Sequence, residues 1–65
     1  MKFYDFLFEL TENSENEGER ILCEETTLDA AYNCLIYMYG FEYNELRFIG
    51  QMETWQGELL GLDTY

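Results

Sequence analysis

The chain has no histidine and no proline, only two cysteines, and only three cations, Lys2, Arg20 and Arg47. Without histidine, Ser-His and Cys-His nucleophile pairs and histidine-ligated metal sites are excluded. Cys23 and Cys34 are too few and too widely spaced for a disulfide framework or a zinc set. The expectation is two reduced, half-buried thiols in a cytoplasmic protein. No long apolar run exists either. The longest wholly apolar stretch is Cys34–Tyr39, far short of a membrane span, and the N-terminus turns acidic at Asp5, so no secretory leader is expected. Scarcity of cations argues against nucleic acid and anionic membranes as partners.

What is present is acid and aromatic carbon. Fourteen Asp and Glu give a net charge of −11, yet 48% of the 65 residues are hydrophobic and 18% aromatic. Disordered acidic tails lack such aromatics, so the composition describes one folded domain, residues 1–65, with an acidic surface. A chain this short buries only about 60% of the surface its unfolded form exposes. It is marginal as a monomer, and a partner chain is a common remedy.

Residues 2–10 (KFYDFLFEL) alternate with period two, and Tyr4, Phe6, Phe8 and Leu10 share an apolar face. They read as a strand with its even face on the core. Residues 11–19 (TENSENEGE) form a solvated loop, and residues 20–24 a second strand paired with the first. Thr26 or Thr27 is a natural N-cap, and Asp29 favours the helix dipole in the first turn. The helix is expected over Leu28–Tyr39, closed by Gly40 in the left-handed conformation. Residues 45–55 return to alternation, with Leu46, Phe48 and Met52 on one face and Gly50 marking a bulge or a close approach. The tail holds a candidate short fourth strand at Glu58–Leu62. The fold class is therefore α+β, in the order β-β-α-β: a three-stranded antiparallel sheet with one helix packed on it.

That helix carries more apolar surface than one sheet can cover. Leu28, Ala31, Tyr32, Leu35 and Tyr39 form a stripe toward the sheet, and a surface helix normally stops there. Here Ile36 and Met38 flank the stripe, while Ala30, Cys34 and Tyr37 lie near its far side. Two readings account for it. Either the tail folds over the outer side, or the surface is a second interface, for self-association or for a partner's apolar side chain. The second reading favours a homodimer.

Catalysis finds no parts here. Carboxylate pairs abound by number alone, and a chain this small cannot build a glycosidase cleft. No enzyme activity, metal or cofactor is expected. Asn13, Glu15, Glu17, Gly18 and Glu24 imitate the spacing of a calcium loop, but the first position is Asn and the flanks read as strands, which leaves a solvated hairpin loop. The run Glu12, Glu15, Glu17, Glu19, Glu24 and Glu25 has a more specific reading. Duplex DNA carries one charge per roughly 1.7 Å of axis. Carboxylates on neighbouring backbone positions approximate that array, and here they border a tyrosine-lined helix.

With those features, residues 4–49 resemble the small acidic uracil-DNA glycosylase inhibitors of short-tailed Bacillus phages. The resemblance rests on Tyr4-Asp5-Phe6-Leu7-Phe8-Glu9-Leu10, the acidic hairpin, Thr27-Leu28, Tyr39-Gly40 and Glu45-Leu46-Arg47-Phe48. It implies a DNA mimic that acts as a homodimer. Such a dimer captures the glycosylase's DNA-inserting leucine in an apolar pocket, with acids beside it standing in for phosphates. Tyr39 matches the family's functional helix-end tyrosine. Ile36 stands where the family has a glutamate, so the acid that takes that role stays open, and residues 53–65 have no counterpart. The pocket expected from this resemblance is walled by Tyr32, Ile36 and Tyr39 with Leu35 behind, and rimmed by Glu24, Glu25 and Asp29. The partner expected is a host uracil-DNA glycosylase. The alternatives are a DNA mimic against another host nucleic-acid enzyme, such as a CRISPR or restriction nuclease, and an acidic phage protein whose dimer is structural.

Overall fold

A computed structural model describes all 65 residues. Strand β1 (Tyr4–Leu10) is central, with β2 (Arg20–Glu25) on one side and β3 (Leu46–Glu53) on the other, both antiparallel to it. The even residues of β1 face the helix as their alternation requires, and Phe6, Phe8 and Leu10 are buried there with Ile21, Cys23 and Leu46. Ala31 and Leu35 complete that core from the helix side. The architecture is the α+β arrangement the periodicities predict.

Helix α1 (Leu28–Asn33) begins where Thr27 accepts a hydrogen bond from the Ala30 amide at 3.2 Å. It does not run on as a plain α-helix. From Cys34 to Met38 the turns widen to π-helical, before Tyr39 and a left-handed Gly40 (φ 80°) end it. The Phe41 amide then donates 3.0 Å back to the Leu35 carbonyl, six residues earlier. That closure is one residue wider than the usual helix-ending bond across glycine. The wider turns keep Leu35 in the core while the chain swings round to β3.

Strand β3 departs from simple alternation. Leu7 pairs with Gly50 but Phe8 pairs with Phe48, so Ile49 is an extra residue and a bulge. Past the bulge the faces exchange. Gln51 and Glu53 join Phe48 on the helix side, and Met52 lies opposite Asp5 on the other face instead of sharing a face with Leu46 and Phe48.

The tail also differs from expectation. Thr54–Leu60 is a second helix, α2, not a strand at 58–62. Glu53 and Gln56 close a reciprocal capping box at its start, and Gly61 (φ 67°) ends it. Strand-like pairing falls later, at residues 63–65, which run parallel to β2. Leu22 donates to the Asp63 carbonyl at 2.9 Å and accepts from Tyr65 at 2.7 Å, while Glu24 donates to Tyr65 at 3.0 Å. The tail thus covers the outer edge of β2. The outer edge of β3 has no neighbour.

The face of the sheet away from α1 is split. Its far half carries the cross-strand set Glu9, Arg20 and Arg47, with both Arg–Glu9 pairs at 3.5 Å. Its near half, with Asp5, is crossed by α2, and Gly57 sits against the Asp5 carboxylate. Asp5 is only 3% exposed, and its Oδ1 has no hydrogen-bond partner. Burial, then the charges of Glu24 and Glu58, raise its pKa above the ordinary carboxylate value.

Candidate functional site

The helix side presents two linked aromatic groups. Tyr32 packs edge-on to Phe8 (centroids 5.1 Å) and against Tyr43 (5.3 Å), which brings the short 3-10 turn Tyr43–Glu45 alongside α1. Burial raises the Tyr32 phenol, with a smaller contribution from Tyr43. At the far end, Tyr39 meets Tyr65 edge-on at 4.9 Å, and Tyr65 also meets Phe41 at 5.6 Å. The Tyr65 phenol is raised by burial first, then by the nearby charges of Asp63 and Glu19 and by Tyr39. The tail carries Tyr65 to this place because residues 63–65 hydrogen-bond to β2.

The surface left open is apolar. Tyr37 is 81% exposed, Met38 76%, Tyr43 69% and Tyr39 51%. The excess apolar arc of the helix is therefore not closed over by the tail, whose Tyr65 packs on Tyr39, Phe41 and the core while Tyr37 and Met38 stay exposed. Large side chains exposed together in this way are unusual on a small monomer.

Of the expected pocket residues, Leu35 is fully buried behind the helix, Tyr32 and Ile36 are half-buried against the core, and Tyr39 is at the surface. These four share one helix but do not enclose a concavity in the single chain. The one cleft, of about 380 Å³, lies elsewhere, between Tyr4, Gln51, Met52, Glu53 and Gln56.

The expected acidic rim divides. Glu25 and Asp29 stay on the helix side, but Glu24 does not. It pairs across from Asp5 and lies on the α2 face, because Cys23 before it points into the core. Asp29, in the first turn, stands at the opposite end of the helical segment from Tyr39. The acids whose charges reach the Tyr65 phenol, which packs on Tyr39, are Asp63 and Glu19. Reading the sequence alone missed Asp63 and Tyr65, while Glu19 already stood in the acidic run. The alternation of residues 21–25 did carry the signal that separates Glu24 from Glu25.

Charge is distributed with the same asymmetry. Lys2 pairs with Glu53 at 2.8 Å, Arg20 with Glu9, and Arg47 with Glu9 and Glu12. The pairs engage Glu9, Glu12 and Glu53, so the other eleven of the fourteen acids face no cation. No cation lies within ion-pair reach of Glu19, Glu25, Asp29 or Asp63. No group of three or more acidic or thiol side chains is arranged to hold a metal ion, and no helix is long and apolar enough to cross a membrane.

No protein-family model, no curated protein and no solved structure matches the chain. What the site can do rests on its own chemistry: an apolar, tyrosine-rich surface set among unpaired carboxylates.

Proposed function

We propose that the chain is a stoichiometric protein inhibitor of a host uracil-DNA glycosylase, acting in the host cytoplasm as a homodimer that imitates DNA. A binder, not a catalyst, fits a chain without histidine or a reactive acid pair in a cleft. The observation that carries the reading is the exposed Tyr37–Met38–Tyr39 end of the helix, backed by Tyr65, whose phenol feels the charges of Asp63 and Glu19, which have no cation beside them.

A base-flipping enzyme takes its target out of the stack, paying to unstack it. It approaches DNA by a basic face, and the resemblance above gives it an apolar side chain that enters the duplex. An acidic surface attracts the first feature and speeds encounter. An apolar aromatic surface suits the second without any unstacking cost. The unpaired outer edge of β3 and the exposed Phe48 and Ile49 support self-association, because a bare strand edge is a template for pairing.

The test is uracil release from DNA by purified glycosylase, with the chain added at equimolar amount. Loss of release is expected, and Tyr39→Ala should weaken inhibition by about 2 kcal/mol through a faster off-rate. Undiminished release at large molar excess would refute the reading. A second reading is favoured by one observation, the absence of a concavity around Tyr39 in the single chain. A flat acidic face suits a nuclease groove, so inhibition of a CRISPR or restriction nuclease is the alternative outcome.

A further inference from the structure

Neither thiol is used by the surface described above, yet the fold brings the two together. Cys23 lies on the helix-facing side of β2, fully buried, with its Sγ 3.9 Å from the Ala31 carbonyl. Cys34 follows Ala31 by three residues, so it projects from the same side of the helix one turn on. It packs against the core cluster that contains Cys23, but is itself only partly buried. The pair is asymmetric, with one thiol behind the other. After burial, the Cys34 thiol is the main cause that pushes Cys23 up to about 12. Cys34 also marks the point where α-helix gives way to π-helix, and its Sγ stands 4.0 Å from the Met38 sulfur.

We propose that Cys23 and Cys34 are a reversible dithiol pair, which a peroxide-class oxidant entering at Cys34 converts to a disulfide linking β2 to the α/π junction. The Cys34 sulfur attacks a peroxide oxygen, the O–O bond breaks, and the departing hydroxide takes the thiol proton to leave as water. The product is a sulfenic acid on Cys34. Cys23 then loses its proton and its sulfur attacks the Cys34 sulfur. The S–S bond forms, the S–O bond breaks, and the second oxygen leaves as water. Two thiols lose two electrons in all, and one peroxide becomes two waters. The second step needs the Cys23 thiolate, so it is slow at neutral pH and quickens with alkali. The bridge fixes the helix where its turns widen, five residues before Tyr39.

The experiment treats the reduced full-length protein with hydrogen peroxide, traps remaining thiols with maleimide, and measures the intact mass. A single unlinked chain lighter by about 2 Da, with no maleimide added, is expected. Dithiothreitol should restore both thiols, and the oxidised chain should melt at a higher temperature than the reduced one. Formation of the bridge should accelerate as the pH is raised, because the attacking species is the thiolate. Cys34→Ser should abolish the reaction. Cys23→Ala, which keeps an apolar group in the core, should leave a Cys34 sulfenic acid that dimedone traps. A Met38 sulfoxide with both thiols intact, overoxidised Cys34 beside free Cys23, or chains joined to one another would overturn the proposal. Because these readouts involve no glycosylase, they stand or fall apart from the inhibitor reading.

Discussion

Gly57→Ala should destabilise the protein although it improves a helix. In the middle of an exposed helix the change adds about 1 kcal/mol of stability, because alanine has less backbone freedom to lose. At residue 57 the added methyl meets the sheet. An ideal Cβ there would overlap Asp5 Oδ2, and would stand 2.7 Å from Asp5 Cγ and 3.0 Å from Asp5 Cβ. Asp5 is held by β1, the central strand, so the strand cannot give way. Either α2 lifts or the carboxylate swings aside, and overpacking of this kind costs typically 1–3 kcal/mol. Set against the helix gain, the net loss is roughly 0–2 kcal/mol, or a melting point lower by up to about 15 °C for a domain of this size. Urea and thermal unfolding followed by far-ultraviolet circular dichroism, at one fixed protein concentration, measure it. The decisive comparison is the same change in an Asp5→Ala background. There Cγ and both oxygens are gone, only the 3.0 Å contact remains, and Gly57→Ala should be nearly neutral. The two sites should therefore couple by about 1–2 kcal/mol. A Gly57→Ala effect that is the same in both backgrounds would refute the docking of α2 on Asp5.

Two further outcomes follow from the same packing. Asp5 has its folded pKa raised, by burial first and then by Glu24 and Glu58, so its stabilising contribution is fully present below its unfolded value and is lost as pH rises through the folded one. Asp5→Asn should therefore gain stability over the parent between about pH 3 and pH 7; an offset that stays flat across that range in parallel melts would sink the assignment. Tyr65→Ala keeps the backbone pairing to β2 but removes the edge-on contacts to Tyr39 and Phe41, each worth about 0.5–1.5 kcal/mol beyond area. It should speed dissociation from the proposed glycosylase partner nearly as much as Tyr39→Ala, and a wild-type off-rate would remove Tyr65 from the site.

Local rules were enough for the first two strands and for both ends of the helix, though not for the π-helical turns at Cys34–Met38. Alternating apolar residues in 4–10 placed Phe6, Phe8 and Leu10 on the core, Thr27 capped the helix, and Gly40 took its left-handed turn, because each depends on neighbours a few residues away. The capping-box residues Glu53 and Gln56 were also in plain view, but Gly57 in a seven-residue helix masks the helical period, and the tail reads equally well as a strand. What fixes α2 is the space over Asp5, which no residue near 57 in sequence discloses. The bulge at Ile49 likewise reverses which face Gln51 and Met52 occupy, since one extra residue shifts a period of two. At the candidate site the same division holds. The helix stripe placed Tyr39 toward the sheet, yet it stands half-exposed at the helix end, and its partner Tyr65 arrives only through hydrogen bonds between the tail and β2. Sequence determined which residues prefer strand, helix or turn; the tertiary structure decided which distant side chains meet, because those contacts depend on sheet register and the path of the tail.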